Sequence, residues 1–180
     1  MSTLGFTSIQ HNYPNNPLPK SCRVTSFFDA VRTSGAHHAL DLIFDNGQGS
    51  GTIPAYGTPV TAMEAGTVVA AVSGQPAASY PACMTANPRP PGDYVKIQGS
   101  DNYSTIYFHM TPSVSARQSV VAGQVIGMLD ASGCQSHAHL HVGRKDPSGN
   151  LVNFTIPCVN PVPTNQYDDG EINDSVPTNQ

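Results

Sequence analysis

Residues 136–142 read Ser136-His137-Ala138-His139-Leu140-His141-Val142, "SHAHLHV", and set three of the chain's seven histidines at every second position. In a β-strand, side chains two apart share a face, so His139 and His141 project together into one site. Two imidazoles on one face suit a metal ion. An isolated His-x-His pair is also compatible with a polar strand edge, so the surrounding sequence decides.

Upstream, short apolar runs recur between Gly and Pro punctuation: "ALDLIF", "GTPVTAM", "GTVVAAV", "DYVKIQG", "YSTIYFHM" and "QSVVAGQVIGML", followed by "HLHVGRK". Runs of this length bounded by turn formers predict an all-β, antiparallel architecture, and no amphipathic helical stretch exceeds about two turns. Gly66, Gly123 and Gly127 fall where tight turns or close backbone approaches are expected. Residues 74–92, with five prolines, break the strand rhythm and are expected to form a long inserted loop. Residues 1–20, containing "NYPNNPLPK", are expected to form an irregular N-terminal arm ahead of a domain at 21–160. From 161 to 180 the pentapeptide Val-Pro-Thr-Asn-Gln occurs twice around an acidic stretch, the composition of a flexible tail.

Composition excludes several function classes. The chain of 180 residues carries only eight Lys and Arg, scattered apart from the adjacent Arg144 and Lys145, and a formal net charge of -4. A phosphate backbone needs clustered basic residues, so nucleic acid is not an expected partner. No apolar run approaches the roughly 20 residues that span a bilayer, and the opening Met1-Ser2-Thr3-Leu4-Gly5 lacks the charged and apolar regions of a signal peptide. Four cysteines in a chain rich in Ser, Thr, Asn and Gly nevertheless point to an oxidising compartment, secreted or periplasmic.

Other ligand types can be gathered around the His-x-His pair. His37 stands four residues before Asp41 at the mouth of an apolar run, and His109 closes "STIYFH". A catalytic zinc site takes three nitrogen or oxygen ligands and keeps a fourth position open. His37, Asp41 and one of His139 and His141 make three, which leaves the other histidines free for proton transfer. No Cys-x-x-Cys is present to hold a metal through thiolates. No His-Glu-x-x-His is present either, and Glu64 is the only glutamate before the tail, so a glutamate general base is not expected.

From Val24 to Val142 these landmarks resemble the lysostaphin-type zinc endopeptidases of the LytM fold. They appear in order: "VTSFF", "HHALDL" with its His-x-x-x-Asp, "GTPVTAMEAGTVVAA", "YVKI", "YFHM", "VVAGQVIG" and "HLHV". The resemblance implies an antiparallel sheet domain with long loops around a zinc groove. It implies His37, Asp41 and His141 as ligands of one zinc ion per chain, and His109 and His139 as the groups acting on substrate and intermediate. It further implies hydrolysis of peptide bonds in peptidoglycan cross-links, or in a protein substrate, by an envelope-located bacterial enzyme, expected as a monomer. Members of this fold that have lost ligands act instead as noncatalytic modules that bind or activate wall hydrolases; here all five motif residues are present. Cupin-like and serine-nucleophile alternatives lack their own signatures, a Glu after the His pair and a Gly-x-Ser-x-Gly elbow.

The sequence departs from the family pattern at several positions. His38 lies three rather than four residues before Asp41 and is expected to play a supporting or solvent role. His137 stands where the family usually has Gly, Ala138 where it usually has Pro, Phe28 follows Phe27 in place of Gly, and Asp130 replaces a frequent glycine. His137 is expected to be a surface loop residue. Of the three ways to pair the cysteines, location favours Cys22 with Cys158, which bracket the domain, and Cys83 with Cys134, which would tether the insertion to the loop before His139.

Overall fold

A computed structural model describes residues 11–28, 30–32, 35–86 and 88–159, with only the backbone described for residues 30–32, 35 and 36. The expected tail at 161–180 and the first ten residues of the expected arm lie outside the described residues. Among the described residues the strands are β1 (Cys22–Ser26), β2 (Ala30–Arg32), β3 (Gly35–His37), β4 (Leu40–Asp45), β5 (Gly51–Thr52), β6 (Pro59–Thr61), β7 (Gly66–Val72), β8 (Tyr94–Gln98), β9 (Ser104–Phe108), β10 (Met110–Pro112), β11 (Ser119–Val120), β12 (Val125–Leu129) and β13 (Leu140–Lys145). One 3-10 turn, Ala82–Thr85, interrupts the insertion. No described helix is long and apolar enough to cross a membrane.

The fold is the expected antiparallel β architecture. An eight-stranded sheet runs in the order β1-β4-β13-β9-β8-β7-β11, with β5 paired to β4, beside a three-stranded sheet β10-β12-β6 and a two-stranded ribbon of β2 and β3. Every strand pair within these sheets is antiparallel, for example β13 against both β4 and β9.

The strand period of two divides each strand of the large sheet between a core and a cleft. Leu40 and Leu42 of β4, Val95 and Ile97 of β8, Tyr107 of β9, and Leu140 and Val142 of β13 enter one hydrophobic cluster. The same cluster takes in Val60, Met110, Ile126 and Leu129 from the small sheet. The small sheet thus covers one face of the large one. Asp41, Phe108 and His141 belong to the alternate positions and project from the opposite face.

Register makes that second face specific. His141 pairs directly with Asp41 on one side and with Phe108 on the other. A slip of one residue would send both groups into the core.

The core continues across residue 21, where the domain was expected to begin. Tyr13 and Leu18 are 3% and 4% exposed, although residues 11–20 form no strand. The Tyr13 ring meets Phe154 edge-on, and its hydroxyl sits among Thr105, Glu64 and Arg144. Arg144 belongs to the core face of β13 and is 1% exposed; Asp101 and Glu64 answer its charge. The structure also joins Cys22 to Cys158 and Cys83 to Cys134.

Candidate metal centre

The backbone sets the first three side chains. β3 ends at His37, and the Ala39 amide donates back to the His37 carbonyl at 2.8 Å, a tight link that delivers the chain into β4. Asp41 follows on β4, 1% exposed, directly opposite His141 of β13. A bulge between Val24 and Ser26 brings Ser26 into register with Asp41 and sets its hydroxyl 3.1 Å from His37 Nδ1.

Three donor atoms converge. His37 Nε2 lies 3.2 Å from Asp41 Oδ2 and 3.2 Å from His141 Nδ1, and His141 Nδ1 lies 2.8 Å from Asp41 Oδ1. Ligands about 2.0–2.1 Å from a tetrahedral zinc stand roughly 3.3–3.4 Å apart, which the 3.2 Å between the two histidine nitrogens matches, and one ligand atom from each of the three residues lies within 4.8 Å of the others. The His37 Nδ1 proton is taken by the Phe27 carbonyl at 3.2 Å, which leaves a lone pair on Nε2, facing the other two. Two imidazole nitrogens and one carboxylate are a donor set suited to zinc, and His141 is the partly exposed member of the three.

Two more imidazoles border this group. His139, just before β13, brings Nε2 to 3.8 Å from Asp41 Oδ1. His109 occupies the single residue between β9 and β10, with a φ of 61°. A non-glycine residue in the left-handed region is uncommon and usually marks a constraint. Here the bend carries the chain from the large sheet to the small one and leaves the His109 ring 4.9 Å from that of His139 and 6.0 Å from that of His141.

Backbone carbonyls orient both rings. His109 Nδ1 donates to the Ser132 carbonyl at 3.0 Å, and His139 Nδ1 donates to the His137 carbonyl at 3.0 Å. Burial, with His139 and His141 adding to it, holds His109 well below the ordinary histidine range. Burial likewise lowers His139 to about 4, against the opposing pull of Asp41. Both rings are therefore neutral at neutral pH, with the proton on Nδ1 and the lone pair on Nε2.

The insertion packs against this edge. Cys83 is bonded to Cys134, the Gly133 amide donates to the Pro76 carbonyl at 2.9 Å, and the Ala78 amide donates to the Gly133 carbonyl at 2.9 Å. Gly92 and Gly133 cross so closely that a Cβ on Gly133 would lie 2.6 Å from the Gly92 nitrogen. Asp130, at the position where the resembled family often has glycine, accepts hydrogen bonds from the Ser132 amide at 2.8 Å and from Thr111 at 2.8 Å, and so shapes the turn whose carbonyl holds His109.

All five histidine and aspartate site residues expected from the sequence come together. His38 is exposed and packs its ring 5.4 Å from that of Phe28, outside the triad. His137 is half-buried and contributes its carbonyl, a role that side-chain reasoning does not reach. Arg89, which the sequence reading passed over, lines the clefts on both sides of His141. Its signal was its place in the insertion that carries Cys83.

The sequence profile of peptidase family M23 matches residues 46–153, more than half of the chain. The chain belongs to peptidase family M23. The matched segment of this M23 chain contains His109, His139 and His141, whereas His37 and Asp41 lie just upstream and join the site through the geometry above. Over 160 residues the chain is 29% identical to the peptidoglycan DD-endopeptidase ShyA of Vibrio cholerae, covering 87% of this chain and 33% of that protein. It thus spans about a third of that relative's length. A zinc-containing peptidase from Vibrio cholerae superposes with a TM-score of 0.54 at 25% identity, covering 76% of this chain and 37% of that one. The catalytic domain of the prophage-encoded M23 protein EnpA from Enterococcus faecalis, in a point-mutant form, superposes with a TM-score of 0.55 at 23% identity over 78% of this chain and 92% of that domain, a likeness of fold.

Proposed function

We propose that this chain is a zinc-dependent endopeptidase that hydrolyses peptide cross-links of peptidoglycan, with His37, Asp41 and His141 as ligands and His109 and His139 as proton-transfer groups. The observation that carries this is the convergence of three donor atoms beside two neutral imidazoles whose Nε2 lone pairs are left open. Membership of the M23 family and the relation to a DD-endopeptidase support the substrate class.

A zinc ion held by this donor set would supply Lewis-acid polarisation of the scissile carbonyl and lower the pKa of a coordinated water toward about 7. The chain's own residues supply the proton management. With Nδ1 tied to a carbonyl, the Nε2 atoms of His109 and His139 can only accept a proton at first. One of them takes it from the attacking water. The resulting imidazolium donates that proton from Nε2 to the departing amine. Burial favours the return of each ring to neutrality after the amine leaves, ready for the next turnover. Asp41, inaccessible to water and flanked by His37 and His141, holds the only carboxylate of the triad in one orientation. The two disulfides fit an extracellular or periplasmic place of action.

Metal analysis of the purified chain should find about one zinc per molecule. A chelator should abolish release of cross-linked muropeptides from purified cell walls, and added zinc should restore it. Full activity in metal-free protein would refute the proposal.

A further inference from the structure

Two cavities flank His141. The smaller, about 150 Å³, is lined by His109, His139, Pro90 and Pro91, and the larger, about 330 Å³, by His37, His38, Lys145 and Leu151. Arg89, Phe108 and His141 line both, and Arg89 is the one among them that comes from the insertion. No acidic side chain lines either cavity among the described residues.

Arg89 is half-buried and, unlike the buried Arg23 and Arg144, has no acidic side chain opposite it among the described residues. Arg23 pairs with Asp45 at 3.0 Å, and Arg144 pairs with Asp101 and Glu64. Arg89 Nε is buried without a hydrogen-bond partner, and Nη2 meets only the thioether of Met84, a weak acceptor. A chain of net charge -4 with eight Lys and Arg thus places two of them, Arg89 and Lys145, in a cleft that no carboxylate lines among the described residues. A guanidinium whose Nε is buried with its donor unused is better satisfied when an anion meets the group at the cleft.

We propose that Arg89 binds a free carboxylate carried by the substrate residue next to the scissile bond. This rests on the peptidase reading of the same cleft and names its substrate class. The planar guanidinium matches a carboxylate through two parallel hydrogen bonds. Its position is fixed from behind by the Cys83–Cys134 bond and by the Cys134 amide, which donates to the Pro90 carbonyl at 3.3 Å. A peptide laid across both cavities brings its reacting carbonyl over the triad and the adjoining residue over Arg89. Lys145, four residues along β13 from His141 and so about 13 Å away at roughly 3.3 Å per residue, adds positive potential at the far end. Cross-links formed to a diamino acid that keeps its own carboxylate meet this requirement. Glycine bridges, which carry no side-chain carboxylate, do not.

The test compares two synthetic cross-linked peptides with the zinc-loaded protein. They are identical except that the diamino acid beside the scissile bond carries a carboxylate in one and a carboxamide in the other. The carboxylate peptide should show kcat/KM higher by about tenfold or more, the scale of a charge-assisted hydrogen-bonded pair. Arg89→Gln should bring the ratio close to one, mainly by raising KM for the carboxylate peptide, and Arg89→Lys should keep part of it. Melting temperature and thiol titration check that each variant is folded; if Arg89→Gln does not fold, the wild-type ratio and Arg89→Lys still decide. Equal cleavage of both peptides by the wild type, or an Arg89→Gln variant that keeps the preference, overturns the carboxylate assignment alone. Cleavage of neither overturns the peptidase reading and this inference with it.

Discussion

Gly92→Ala should damage catalysis without touching a ligand. Gly92 has a φ of +78°, and a Cβ built there would lie 2.8 Å from the Ser132 carbonyl oxygen and 3.0 Å from His109 Nδ1. The left-handed backbone alone costs an alanine about 1–2 kcal/mol. The oxygen must also give way by roughly half an ångström, and it is not free to do so, because Gln135 Nε2 donates to it at 2.9 Å and Cys134, two residues on, is bonded to Cys83. A shift of that size stretches the His109–Ser132 hydrogen bond from 3.0 Å toward the limit of such bonds. His109 then loses the contact that fixes its tautomer and ring orientation. A net hydrogen bond of about 1 kcal/mol plus misplacement of a proton-transfer group gives an expected 10- to 100-fold fall in kcat. Zinc content should be unchanged, and the melting temperature should fall by about 3–8 °C. Gly123→Ala is the control, since Gly123 has a φ of +82° with nothing within 4 Å. It should share the backbone strain and the modest loss of stability while keeping full activity. Initial rates on a cross-linked peptide, metal analysis and thermal melts of the three proteins decide the matter. A fully active Gly92→Ala, or a Gly123→Ala equally crippled, would refute the role given to the Ser132 carbonyl.

The histidines should separate by function. His141→Ala should lose or greatly weaken zinc binding, whereas His139→Ala and His109→Ala should keep the metal and slow turnover by about 100-fold or more, as metal analysis beside initial rates will show. Should His139→Ala lose zinc while His141→Ala retains it, the two roles are reversed. The protein denatured without reductant should titrate no free thiol. Replacing Cys83 and Cys134 together by serine opens a loop of sequence separation 51 and, on chain entropy, removes about 4 kcal/mol of stability. Guanidinium unfolding of that double variant measures the loss directly, and a change below 1 kcal/mol would show that the insertion is held by its hydrogen bonds alone.

Much of the site was legible because it depends on local periodicity. His-x-x-x-Asp across a strand entrance and His-x-His along a strand each fix relative side-chain directions within a few residues, and the two join through the single register that pairs His141 with Asp41. Proline density marked the insertion, and its cysteine marked what it packs against. The anchors of the imidazoles left no such trace, because Ser132 and His137 act through carbonyl oxygens that every residue possesses. The burial of Tyr13 and Leu18 was hidden for a related reason. "NYPNNPLPK" announces irregular backbone, and the backbone is irregular, but burial depends on two side chains whose partners lie far along the chain: Tyr13 meets Thr105, 92 residues away, and Arg144, 131 residues away. The same separation concealed Arg144, which alternation alone points into the core.

Placement of His109 connects these scales. The chain leaves the large sheet at Phe108 and enters the small sheet at Met110, so one residue makes the change of sheet. Met110 is fully buried in the core on the far side, and Phe108 is fixed by pairing with both His141 and Tyr94. A residue held between two such neighbours cannot relax its backbone without moving a sheet, which is how a φ of 61° persists at a histidine. The strain also has a use. An ordinary extended residue at 109 would continue the alternation of β9 and turn its side chain toward the core alongside Tyr107. The left-handed bend breaks that period once, and it delivers the imidazole to the cleft beside His139. The same corner is closed by the Asp130 amide, which donates to the His109 carbonyl at 2.9 Å, and by Ser132 on the ring nitrogen, so the turn that fixes the backbone also fixes the proton. Stability, carried by the two covered sheets, and proton transfer, carried by one exception to their pattern, therefore meet at a single position.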